Sequence, residues 1–180
     1  MTDPVVLSSE TVYHGRVFDV VHTRLRFDDG AEVEHAVVQH PGAVAIVALD
    51  ERGRWLLVRQ YRAAVGRELL EIPAGTLEPG EEPLATAHRE LREETGFAAS
   101  HVESIGGTWM APGFCSEYLH YFVATGLKRS PLPGDEDERL SEPLAMTFDE
   151  VVAAIGDSTI EDAKTVVATA LYLSHIGRVR

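Results

Sequence analysis

The sequence predicts a mixed α/β chain, with a small antiparallel N-terminal β-sheet ahead of a larger domain of alternating strands and helices. Three observations carry this expectation. Val21, Thr23, Leu25 and Phe27 alternate with His22, Arg24 and Arg26, the period-two pattern of a half-buried strand. Ala43–Leu49 is a continuous apolar run, followed by a turn and a second apolar stretch. Pro83–Thr95 holds only helix-compatible residues, between a proline suited to a first helical position and Gly96, suited to a left-handed stop.

In chain order, a short strand over Thr11–His14 precedes Val21–Phe27, the hairpin turn Asp28-Asp29-Gly30 and a return strand over Ala31–Gln39. Pro41-Gly42 marks a boundary, so residues 1–42 are expected to form a β-sheet arm and 43–180 the main domain. So small a sheet has little core of its own and is expected to pack on the remainder or on a second subunit. Ala43–Leu49, the turn Asp50-Glu51-Arg52-Gly53 and Trp55–Tyr61 read as a buried hairpin. Leu69–Ile72 leads through Pro73-Ala74-Gly75 into the acidic helix, and Val102–Trp109 and Tyr118–Ala124 are further strands. Two closing helices follow from capping-box spacing in Thr147-Phe148-Asp149-Glu150 and in Ser158-Thr159-Ile160-Glu161.

Composition narrows the function classes. A formal charge of −13 argues against non-specific binding to nucleic acid or an anionic membrane. It also means that an anionic substrate needs local cations, either metal ions or arginines. No apolar run reaches the roughly 18–20 residues that span a bilayer, and MTDPVVLSSE lacks the basic and apolar regions of a signal peptide. Cys115 is the single cysteine, which rules out an intrachain disulfide and fits a reducing cytoplasm. The 8 histidines are scattered without transition-metal spacing.

On the predicted helix, Glu90 and Glu94 share one face a turn apart, with Glu93 beside them. Like charges at that spacing repel, so something must offset them. Two readings stand: a hard divalent cation, which prefers carboxylate oxygens, or a solvated charged helix in which Arg89 and Arg92 interleave with the acids.

Gly75 to Phe97, GTLEPGEEPLATAHRELREETGF, resembles the Nudix box, with Gly75, Glu81, Arg89, Glu90, Glu93, Glu94 and Gly96 at its polar and glycine positions and Leu91 and Phe97 at its apolar ones. The fit has no departure. The resemblance implies a Nudix α/β/α sandwich and a hydrolase of nucleoside diphosphates linked to another moiety, dependent on two or more Mg²⁺ or Mn²⁺ ions. It implies Glu90 and Glu94 as metal ligands, Glu93 as a further ligand or bridge, and the carbonyl of Ala74 as another oxygen donor. Arg89 then holds the glutamates through salt bridges, while Glu81 either orients Arg89 or meets a metal through water.

The flanks resemble the ADP-ribose pyrophosphatases: Arg59-Gln60-Tyr61-Arg62 and Glu71-Ile72-Pro73-Ala74-Gly75 before the box, Pro112 and Gly113 after it, and Thr159 to Thr165 near the end. Ala111 departs from that pattern, since a hydroxyl residue often precedes the Pro-Gly. Arg62 is the candidate phosphate contact, because a guanidinium forks onto two oxygens; a surface arginine closing a strand is the alternative. Glu71 joins the metal shell or forms a buried salt bridge. Glu117 is a substrate contact or a strand-edge charge. In Pro133 to Pro143, PGDEDERLSEP, composition indicates only a solvated acidic loop. The resemblance implies that a glutamate there, Glu136 or Glu138 with Glu142 third, activates the attacking water. It further implies a homodimer whose N-terminal sheets help build the partner's substrate site. Other readings are hydrolysis of GDP-mannose or a dinucleoside polyphosphate, and a non-catalytic sensor that binds ADP-ribose.

Overall fold

The computed structural model describes residues 2–134 and 141–178, with side chains through residue 177. The chain divides into two compact units: one of the residues up to Gly42 with Thr108–Leu119, the other of Ala43–Gly107 with the chain from His120 onward.

In the first unit, β1 (Val5–His14), β2 (Asp19–Arg26) and β3 (Glu32–Gln39) form one antiparallel sheet in the order β1-β2-β3. The alternation read along β2 appears as burial: Val21 is buried and Thr23 and Leu25 half-buried, while His22, Arg24 and Arg26 are exposed. The first strand runs for 10 residues rather than the short stretch expected, and every one of them is exposed. Its mixture of Val5, Val6 and Leu7 with Ser8, Ser9 and Glu10 breaks simple alternation, which is why pattern reading shortened it. Loop residues Ala111 to Ser116 lie against β3, through Val38 N–H to the Phe114 carbonyl (2.8 Å) and Ser116 N–H to the Val38 carbonyl (2.9 Å).

In the second unit, β4 (Ala43–Ala48) is buried at every residue and lies inside a sheet ordered β7-β4-β9-β8, made with β7 (Ala74–Thr76), β8 (Phe97–Trp109) and β9 (Tyr118–Arg129). A second sheet, β10-β5-β6, pairs β5 (Trp55–Arg62) with β6 (Arg67–Glu71) and β10 (Leu144–Met146). The expected hairpin of β4 and β5 is therefore corrected: the two strands belong to different sheets, and the isolated bridge Leu49–Trp55 closes the turn between them. Both edges of β4 are taken by β7 and β9, so β5 finds its partners elsewhere.

Helix α1 (Pro83–Thr95) has the bounds its punctuation predicts, and Gly96 closes it in the left-handed conformation at φ 77°. Ala87 and Leu91 pack into a core with Val44, Ile46, Ala48, Leu56, Phe122 and Ala124. Full burial of one such leucine is worth about 1.5–3 kcal/mol. Adjacent strand residues face opposite ways, so Trp55 instead meets Phe148 and Tyr172, at ring-centroid distances of 6.0 and 5.3 Å. Those rings belong to α2 (Phe148–Gly156) and α3 (Ala163–Arg178), which gives the helix–sheet–helix layering expected.

Thr147 caps α2 in the capping box read from sequence. The second expected box does not cap α3. Ser158 takes a left-handed φ of 64° and Thr159 N–H goes to the Asp157 carboxylate (2.9 Å), so this stretch turns. Asp162 does the capping, accepting from Thr165 N–H (3.0 Å). Among the described residues, no helix is long and apolar enough to cross a membrane.

Candidate active site

Three carboxylates of the second unit are almost wholly buried: Glu71 at 1% exposure, Glu94 at 5% and Glu90 at 7%. Acidic side chains are rarely that buried unless paired, because an ionised carboxylate loses its hydration. Each is held by a definite arrangement.

Glu94 Oε2 accepts the Ala74 N–H at 2.9 Å, which ties the last turn of α1 to the start of β7. Next along β7 is Gly75, where an added Cβ would lie 1.9 Å from the Glu90 carboxyl carbon. Only a glycine admits that carboxylate beside the strand. Arg89 joins the acids around it. Its Nη1 donates to Glu90 Oε1 (2.7 Å) and Glu93 Oε2 (3.0 Å), and Nε and Nη2 fork onto Glu81 (3.1 and 3.0 Å). Nη2 also reaches the Thr76 carbonyl at 3.2 Å. The bond from Arg89 holds the Glu81 carboxyl below the usual carboxylate range, and Arg89 in turn is held firmly protonated by Glu81, with Glu90 and Glu93 adding to it.

Glu71 ends β6. Its Oε1 accepts from Arg62 Nε (2.9 Å) and its Oε2 from Arg62 Nη2 (2.6 Å) and from Lys164 Nζ. Burial acts to raise the Glu71 pKa, but the Arg62 bond and the Lys164 charge outweigh it and hold the carboxyl below its ordinary value. The charge of Glu94 is also felt at Arg62, so this cluster and the α1 acids are electrostatically joined.

The structure thus brings Ala74, Glu90, Glu93, Glu94 and Arg89 together, with Arg62 and Glu71 close enough to couple to them. Glu136 and Glu138 lie outside the described residues. The chain approaches that segment along α1, with Ser130 N–H on the Gly96 carbonyl (2.8 Å) and Arg92 Nε on the Ser130 carbonyl (2.9 Å). It leaves at Ser141, which is bound to the backbone of Arg59; Glu142 beyond it is exposed.

Pro112, Gly113 and Glu117 belong to the first unit. Pro112 and Gly113 line a cavity of about 440 Å³ with Trp109, Phe114, His35 and Val37. The Glu117 carbonyl accepts from Met110 N–H (3.1 Å), closing the base of this loop. Sequence reading missed Lys164, Asp162 and Thr165 as members of the buried charge cluster. A basic residue two places after a capping aspartate was the one local signal of it.

A hard divalent cation fits the donors of α1: closely spaced carboxylates, two of them buried, beside a strand where glycine leaves room for them. In the conformation seen, Glu90 and Glu93 both turn to Arg89. Among the described residues no three acidic, histidine or cysteine side chains stand together as a group able to hold an ion.

Comparison with known proteins identifies the class. Residues 39–167 match the NUDIX domain family. The chain is 36% identical over 163 residues to the methanol dehydrogenase activator of Bacillus methanolicus, covering 90% of this chain and 88% of that one. It is 36% identical over 164 residues to the ADP-ribose pyrophosphatase of Bacillus subtilis (strain 168), again covering 90% and 88%. The crystal structure of an ADP compounds hydrolase is similar at a TM-score of 0.86 and 27% identity, covering 98% of this chain and 96% of that one. The chain therefore belongs to the Nudix family. It is a Nudix pyrophosphohydrolase.

Proposed function

We propose that this protein hydrolyses the pyrophosphate bond of ADP-ribose, or of a related nucleoside diphosphate sugar, in a Mg²⁺-dependent reaction that gives AMP and ribose 5-phosphate. The observation that carries the reading is the pairing of α1 with β7, in which Ala74 N–H holds Glu94 and Gly75 makes room for Glu90. The names of similar proteins, ADP-ribose pyrophosphatase and ADP compounds hydrolase, support the substrate class.

Glu90, Glu94, Glu93 and the Ala74 carbonyl would hold the ions. Bound there, divalent ions neutralise phosphate oxygens and acidify water. Arg89 keeps the glutamates in register, and Glu81 keeps Arg89 in place. Arg62 offers Nη1, which takes part in neither bond to Glu71, to a phosphate oxygen. The oxygen of water bonds to one phosphorus, the bond from the bridging oxygen to that phosphorus breaks, and the water proton passes to Glu136 or Glu138. Pro112, Gly113 and Glu117 contact the nucleoside or sugar. The lone Cys115 suits a cytoplasmic protein.

The protein acts as a homodimer in this reading, with the N-terminal sheet of each chain contributing to adenosine recognition. What supports it is β1, where Val5, Val6, Val12 and Tyr13 are each at least 53% exposed. A panel of ADP-ribose, GDP-mannose and a dinucleoside polyphosphate tests the substrate assignment, with ADP-ribose expected to have the highest kcat/KM. Turnover of another member with none of ADP-ribose would remove the assignment and leave the class.

A further inference from the structure

We propose that Lys164 is a positioning residue for substrate binding, acting through Glu71 to set the orientation of Arg62 and the field it presents to a phosphate. The inference rests on the reading of Arg62 as a phosphate contact and extends it to a residue 93 positions from Glu71 in sequence.

The geometry is a four-charge chain. Arg62 forks onto both oxygens of Glu71, Lys164 Nζ sits on Glu71 Oε2, and the same Nζ donates to Asp162 Oδ1 at 3.0 Å. Two bases thus meet two acids. Asp162 Oδ2 is itself occupied by Thr165, from the hydroxyl at 2.6 Å and the backbone N–H at 3.0 Å. Thr165 Oγ1 also accepts Ile72 N–H at 3.0 Å, so the start of α3 is tied to the residue after Glu71.

The consequence lies at Arg62. Glu71 is 1% exposed, so its charge must be answered by its neighbours and not by water. With Lys164 in place, a second cation shares that task, and Arg62 keeps positive potential at Nη1, which is used by neither Glu71 bond. Without Lys164, the whole charge of Glu71 falls on Arg62, and the field of that guanidinium toward an incoming phosphate is cancelled. Lys164 does not itself need to touch substrate.

Steady-state kinetics with ADP-ribose, beside thermal unfolding, test this in Lys164→Met, Lys164→Arg, Arg62→Lys and Lys164→Met combined with Arg62→Lys. Lys164→Met is expected to raise KM ~10-fold with kcat within ~3-fold, the mark of lost ground-state binding. Lys164→Arg, which keeps the charge, returns KM to within ~3-fold of the natural enzyme. Lys164→Met adds nothing to KM on top of Arg62→Lys, because both act on one contact. Should Lys164→Met fold poorly, Lys164→Met with Asp162→Asn removes the stranded acid while an amide oxygen keeps the cap. The raised KM is then expected in a stably folded protein.

An unchanged KM in a folded Lys164→Met variant, or in that double variant, overturns the proposal and makes Lys164 a structural clamp. So do effects of Lys164→Met and Arg62→Lys that multiply. If Arg62→Lys alone leaves KM unchanged, the phosphate-contact reading fails and takes this proposal with it. If Arg62→Lys raises KM and Lys164→Met does not, the role of Lys164 alone falls.

Discussion

At Gly75 a single added carbon would collide with the Glu90 carboxylate, and that carboxylate is the end of a side chain able to swing away. Gly75→Ala is therefore expected to spare the fold, at a cost within about 1–2 kcal/mol, and to displace a proposed metal ligand. A kcat lower by ~10–100-fold beside a near-natural urea midpoint would fit a positioning effect of this kind. Full activity would mean that Glu90 has no need to lie beside the strand. Glu94→Gln asks a sharper question, because an amide oxygen still accepts from Ala74 N–H while the charge is gone. Loss of ~10²–10³-fold in rate is expected if that charge serves a cation. An active variant with unchanged metal dependence would place Glu94 outside the ion site. The two substitutions separate geometry from charge at neighbouring points of one site.

Between elements, a buried charge cluster joins the end of β6 to the start of α3 through Glu71, Arg62 and Lys164. Its pH dependence has a definite sign. The folded pKa of Glu71 lies below its ordinary value of 4.5, so its stabilisation is fully present above that value. It is lost as pH falls through the folded value. Urea unfolding should show Glu71→Gln less stable by ~2–3 kcal/mol near neutral pH, a figure reduced from the fully buried case because Arg62 is partly exposed. The gap to the natural protein should narrow below pH 4.5; a gap that stays constant into acid would show that packing, not ionisation, is lost. Thr147→Ala should cost about 1 kcal/mol at α2. What the sequence reveals at this scale follows the range of the interactions. Helix α1 was legible end to end because Pro83 and Gly96 act on their own backbone. Glu90, Glu93 and Glu94 were legible as neighbours from their helical spacing, and the resemblance to the Nudix box supplied the role expected of them. The partners of β4 and β5 were not, since they are chosen by distant strands. Nor was the start of α3, where a left-handed Ser158 spoils an otherwise convincing cap. Lys164 was invisible as a partner of Glu71 because the two are 93 positions apart.

For the molecule as a whole, an exposed 10-residue strand bearing Val5, Val6, Val12 and Tyr13 calls for a covering surface. Light scattering should give twice the mass of one chain for the full protein, and a chain starting near Pro41 should be monomeric with a raised KM. A monomeric full-length protein with full activity would exclude the dimer. The role proposed for the buried carboxylates of α1 is to make this fold a metal-dependent hydrolase of a nucleoside diphosphate sugar. It is tested most directly by incubating the purified protein with ADP-ribose and Mg²⁺, resolving the products by chromatography, and repeating the assay with excess chelator. Equal amounts of AMP and ribose 5-phosphate are expected, with neither formed once the metal is removed. Undiminished hydrolysis in chelator, or intact ADP-ribose in the presence of metal, would contradict it.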